Sequence, residues 1–236
     1  MTKKLLIATL LASTMSLTGC GALIGMQASS GQFAMTRVTP LTEADPVKSD
    51  VFKRVQSVGI VYYVDKLNDS GNYPEDNIAI YKLMAKYTQK NVESIKKFKV
   101  IDRNTFENAL NKVAPDLDIF AADPEEYNEA IAKVGRHLGV HALIDLQLEE
   151  AHGNVTSVSN QFVMAKDLIV HGAARIPMNL TLKMIRSKNG EELYSQNDLI
   201  NWEMGTSGIG NMSQKDLHKV VDNAVKPLVN DMGAYL

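Results

Sequence analysis

From Leu168 to Met184 the chain sets an apolar or small residue at every second position: Leu168, Val170, Gly172, Ala174, Ile176, Met178, Leu180, Leu182 and Met184. His171, Arg175, Asn179, Thr181 and Lys183 fall between them. Successive side chains of a strand point to opposite faces, so this pattern demands a long strand with one buried and one wetter face. Ser187-Lys-Asn-Gly190 carries the Asn-Gly turn signal and returns the chain into Glu191 to about Met204 as an antiparallel partner. A hairpin of that length needs a cover, and the rest of the chain must supply it.

Upstream, Val58-Gly-Ile-Val-Tyr-Tyr-Val64 reads as a buried strand that leaves into a long polar loop, Asp65 to Pro74. Ile78, Tyr81, Met84, Ala85, Thr88, Val92 and Ile95 form a helical stripe. Phe98-Lys-Val-Ile-Asp102 reads as a second strand, and Asn104 or Thr105 as the cap of a short helix burying Phe106, Leu110 and Val113. Asp123-Pro-Glu-Glu126 is a strong helix start, with Asp as cap and Pro at the first helical position, and Gly139 is the stop. His141 to Leu148 follows as a strand, and Ser213 with Asp216 opens a last helix on Leu217, Val220, Val221, Ala224, Leu228 and Met232. These elements predict an α/β fold: one three-layer-like domain over 51–236, with a mixed, largely antiparallel sheet flanked by helices.

The first nineteen residues belong to something else. Lys3 and Lys4 precede an apolar run, Leu5 to Ser16, too short to span a bilayer, and Leu17-Thr-Gly-Cys20 ends in the only cysteine of the chain. The segment 1–19 resembles a bacterial lipoprotein signal, and the resemblance implies that Cys20 becomes the N-terminus and carries covalent lipid, palmitate among its chains. Two or three acyl chains, at about 0.8 kcal/mol per buried methylene, hold a protein stably on a membrane. Gly21 stands where an inner-membrane retention signal has Asp, which implies the outer membrane, with the domain on the periplasmic side. Residues 20–50 are rich in Gly, Ser, Thr, Pro and Ala and read as a tether.

Loss of Lys3 and Lys4 leaves 23 basic against 27 acidic residues, a formal charge of −4. A mildly acidic, charge-mixed chain argues against nucleic acid as a partner. With Cys20 acylated no thiol remains for a disulfide, so the core alone must hold the domain. His137 and His141 have a metal-like spacing, but Gly139 lies between them at a helix stop, and a metal site is not expected. Asp65 to Gly71 matches a calcium loop only loosely, Gly205 to Gly210 reverses a dinucleotide fingerprint, and no nucleophile elbow, Walker loop or zinc-protease helix occurs. The expectation is a protein that is not an enzyme and has no cofactor apart from the lipid on Cys20.

The strand at Val58 with its Asn-Asp-Ser-Gly-Asn loop, Phe98-Lys-Val-Ile-Asp-Arg-Asn-Thr-Phe106, Leu138-Gly-Val-His-Ala-Leu-Ile144, and Asn179 to Ile185 with Lys188-Asn-Gly-Glu-Glu-Leu193 occur in this order over Val58 to Val229. That order resembles the curli-secretion (CsgG) family of outer-membrane lipoproteins and the related LpoB-type domain. The resemblance implies an accessory component of a cell-envelope export or surface-assembly system, acting by protein–protein contact on envelope proteins. Its alternatives are a homo-oligomeric ring or channel in the outer membrane and an activator of a cell-wall synthase. Val155–Ala165 and Leu168–Met178 could form a membrane or partner hairpin, with Val158, Phe162, Met164, Leu168 and Val170 as its apolar contacts. The stretch between Gly190 and Ser213 is too short for a second membrane hairpin, so a periplasmic hairpin is the expected form.

Overall fold

The computed structural model describes residues 34–37, 47–70, 75–119, 122–150, 173–205 and 212–236. Its elements in chain order are β1 (Ala34–Arg37), β2 (Val47–Lys48), a 3-10 turn (Phe52–Arg54), β3 (Ser57–Ile60), α1 (Val64–Ser70) and α2 (Glu75–Ser94). Then come β4 (Lys99–Ile101), α3 (Arg103–Val113), α4 (Pro124–Leu138), β5 (Ala142–Glu150), β6 (Ala173–Arg186), β7 (Glu192–Gly205) and α5 (Gln214–Ala234). The strands form one sheet in the order β1-β7-β6-β5-β3-β4, with β2 also on β7. β3 runs parallel to β4 and β5, and the other pairings are antiparallel, so the sheet is mixed.

Helices cover the sheet on two sides. On one face, Val58, Ile60, Ile144, Leu180, Leu182 and Met184 pack with α2 and α5, whose Met84, Val92, Val225 and Leu228 are equally buried. On the other, Leu143 and Ile185 lie under α3 and α4 with Phe106, Leu110, Ile131 and Val134. Each such side chain contributes about 1.5–3 kcal/mol by leaving water. Gly135 lets α4 lie this close: a Cβ there would stand 2.8 Å from Ser187 Cβ and 3.2 Å from Leu143 Cδ1.

The helix ends obey the chemistry of their sequence, with one correction. Asp123 accepts from the N–H groups of Glu125 and Glu126, Ser213 caps α5, and Gly139 stops α4 at φ 67°. The cap of α3 is Asp102, two and three positions before the expected Asn104 or Thr105. Its carboxylate accepts from both of their N–H groups at 3.0 and 3.1 Å and from Thr105 Oγ1 at 2.6 Å, which holds it below the usual carboxylate range.

Two further expectations change. The strand at Val58 ends at Ile60, and the supposed loop begins as α1. The reason is tertiary: Glu107 of α3 accepts from the Asp65 N–H at 2.7 Å, Lys66 Nζ donates to the Pro115 carbonyl at 2.7 Å, and Leu67 is buried. The region read as tether contributes β1 and β2 to the outer edge of β7. Arg37 fastens β1, with Nη2 donating to Asp198 Oδ1 at 3.0 Å, Nε lying 2.9 Å from Oδ2, and Asp231 at 3.5 Å.

Candidate functional site

β3 pairs with β5 only along Val58 to Ile60, opposite Ala142 to Ile144, then turns away toward α1. β5 continues to Glu150, paired along its length with β6. A cavity of about 590 Å³ opens where β3 is missing. Its wall takes in four consecutive residues of β5, Leu146, Gln147, Leu148 and Glu149, which means that it runs along the strand's edge as well as one face. Residues of α1 and the first half of α2 form one side, and Ile119, Ala122 and the start of α4 the other. A small void lined by Ile60, Val61, Ile144 and Leu146 marks where the strands part. This is the carboxyl end of parallel strands, where open α/β sheets leave their crevice.

Polar groups gather on the α4 side. Asp145, 1% exposed, accepts from Tyr127 Oη and Gln147 Nε2, each at 2.8 Å. Burial pushes its carboxyl up to about 6, against the pull of those two hydrogen bonds and of Lys183. Desolvation, with nearby negative charge, also lifts the Tyr81 and Tyr127 hydroxyls well above their ordinary range. The Tyr81 ring stacks on Tyr63 at 4.9 Å and on Tyr62 at 5.8 Å. Lys183 Nζ is committed to Glu192 at 3.0 Å, and Asn128 donates to the same carboxylate at 3.2 Å. Among the described residues, three carboxyls, Asp145, Glu149 and Glu192, thus share the region with one ammonium.

The far end is apolar. Trp202, the only tryptophan of the chain, lines it with Ile176 and Met178, and its register partner on β1 is Met35. Ala34, the first residue of the fastened β1, is fourteen positions from Cys20, a span of at most about 45–50 Å.

Cys20 and the hairpin residues Val158, Phe162, Met164, Leu168 and Val170 lie outside the described residues. His137 sits in the last turn of α4, and His141 precedes β5 with Nδ1 3.1 Å from Ser57 Oγ. Among the described residues no group of His, Cys, Asp and Glu converges on a metal position, and no helix is long and apolar enough to cross a membrane. Gln147, Tyr63, Tyr81 and Tyr127 carry no sequence signal as site residues. The available signal was Asp145 itself, an acid set in the otherwise apolar run Ala-Leu-Ile-Asp-Leu.

No protein-family model and no curated protein matches the chain. Similar solved structures include a PelC dodecamer from Paraburkholderia phytofirmans, 12% identical, covering 78% of this chain and 94% of that one with a TM-score of 0.34. Another is the lipoprotein GNA1162 from Neisseria meningitidis, 15% identical, covering 74% and 99% with a TM-score of 0.32. Both are likenesses at low structural overlap, and neither assigns this chain to the curli-secretion or LpoB families.

Proposed function

We propose that this chain is an outer-membrane-anchored lipoprotein that works by protein–protein contact, as an accessory component of a cell-envelope export or surface-assembly system. The observation that carries the reading is Leu17-Thr-Gly-Cys20, which puts the only cysteine at the acylation position. The fastening of β1 supports it: a short leash ending at the β7 edge keeps the domain within about 50 Å of the bilayer. The reading assigns no catalytic step and no cofactor beyond the lipid, and self-association belongs to it.

Labelling cells with an alkynyl palmitate tests it, together with the mass of the N-terminal peptide. The expected result is an acylated Cys20 and release of a Cys20→Ser variant from the membrane fraction. An unlabelled protein whose Cys20→Ser variant still sediments with membranes contradicts it. Light scattering of the domain lacking Cys20, in buffer and then in mild detergent, reads the oligomer: a closed ring selects a channel or collar, and a monomer selects an adaptor.

A further inference from the structure

We propose that the groove beside β5 binds an extended peptide of an envelope partner by strand addition, and that the peptide alternates apolar residues with lysine or arginine. The inference rests on the protein-contact reading and supplies its mode.

The backbone makes the first argument. On the β3 side Val61 N–H donates to the Ile144 carbonyl at 2.9 Å, and on the β6 side Ser187 N–H donates to the His141 carbonyl at 3.0 Å. Even-numbered residues of β5 therefore face β3 and odd-numbered ones face β6, and the alternation carries on along the strand. Beyond Ile60 there is no more β3, so the N–H and C=O groups of Leu146 and Leu148 are directed into the groove. No described residue is paired with them there. Buried peptide groups rarely go without partners, and an open strand edge is a template for another strand. The groove continues the line of β3, so an incoming strand completes a ladder that stops short.

The two faces of the sheet then specify the peptide. Leu146 and Leu148 belong to the apolar side that packs toward α2 and α5, continued by Met178 and Trp202. Asp145, Gln147 and Glu149 alternate onto the opposite side. Among the described residues there, the one ammonium, Lys183, is already paired with Glu192, and the buried Asp145 carboxyl takes its hydrogen bonds from Tyr127 and Gln147. An added strand must alternate likewise, and Glu149, exposed on the groove wall and without an ion pair among the described residues, matches a basic residue in its polar positions.

The test uses the full lipidated chain in detergent and an eight-residue capped peptide of alternating valine and lysine, with valine–glutamate as the control. Binding is followed by Trp202 fluorescence, and amide hydrogen exchange is read by residue. Strand addition predicts exchange slowed about tenfold or more at Leu146 and Leu148, with Asp145 and Gln147 unchanged because β6 already holds them. Leu148→Pro, which removes an edge N–H and leaves the β6 ladder intact, should weaken binding at least about tenfold. Glu149→Lys should weaken it with the edge amides still free to pair. Binding without protection of those two amides, binding unaffected by Leu148→Pro in a variant that still melts cooperatively, equal affinity for the glutamate peptide, or no binding at all overturns the inference. If the peptide fails while the full chain still cross-links to an envelope protein in cells, strand addition falls and protein contact stands. Cross-links to no protein at all remove the underlying reading as well.

Discussion

On the β4–β3–β5 side, strands of three, four and nine residues lie between helices on both faces, whereas β6 and β7, fourteen residues each, pack against α2 and α5 on one face and, away from Ile185 under α4, leave Thr181, Asn197 and Asn201 on the other. Parallel strands need crossover helices, and those helices close both faces. An antiparallel hairpin needs only a turn, so one of its faces can stay wet. The groove lies at the seam, where the parallel half ends before the antiparallel half does.

The contrast is sharpest in the cost of truncation. Leu143→Ala, in the doubly covered half, should cost about 3–4 kcal/mol in urea denaturation, because Leu143 is fully buried and α4 cannot collapse onto the space. Leu199→Ala, on the uncovered face of β7 and half-buried, should cost less than about 1 kcal/mol. Equal losses would break the comparison.

Asp145 gives the next largest effect and a sign to check. Its folded carboxyl is raised from 3.8 to about 6, so the folded state holds the proton more tightly than the unfolded chain. The stabilisation is complete below pH 3.8 and is lost as the pH rises through 6, a change of about 3 kcal/mol from this group. Stability measured from pH 4 to 7 should fall in the native chain by more than in Asp145→Asn. A variant with the same slope contradicts the assignment.

Gly135→Ala sharpens the fit of α4 on the sheet. Alanine gains about 1 kcal/mol of helix propensity over glycine, yet the crowding against Ser187 and Leu143 should outweigh it, leaving a net loss of about 1–2 kcal/mol in thermal denaturation. A stabilised variant would show that the layer is looser than drawn. An effect of similar size belongs to the edge: Arg37→Met strands the buried carboxyl of Asp198, but Arg37 is one-third exposed, so the cost should be about 1–2 kcal/mol. Limited proteolysis should then cut near β1 well before the rest of the domain.

The antiparallel half was legible in the sequence because alternation survives wherever one face is wet, as Asn179, Thr181 and Lys183 show. The parallel half could be read only as apolar runs: Val58 and Ile60 face one helical layer and Leu143 the other, so period two disappears. Caps at Asp123 and Ser213 could be read because their partners are two or three residues away. The cap on α1 could not, since Glu107 is forty-two positions from Asp65. The groove was hidden for the same reason. Its wall joins α1, α2, α4 and three strands, and no local pattern announces where β3 stops while β5 goes on. The apolar alternation in 155–178 drew attention to a hairpin that lies mostly outside the described residues, and the tether reading missed β1 because four residues, Ala-Met-Thr-Arg, are too few to show a period.

The most direct test of a lipoprotein that makes its contacts at this seam is photo-cross-linking in living cells, with a cross-linking amino acid placed singly at Glu149, on the groove, or at Asn197, on the open face of β7; both positions are exposed. A discrete protein adduct at position 149, weakened by Leu148→Pro and absent from position 197, is the predicted result. Adducts of equal strength at both positions, or at 197 alone, would contradict it.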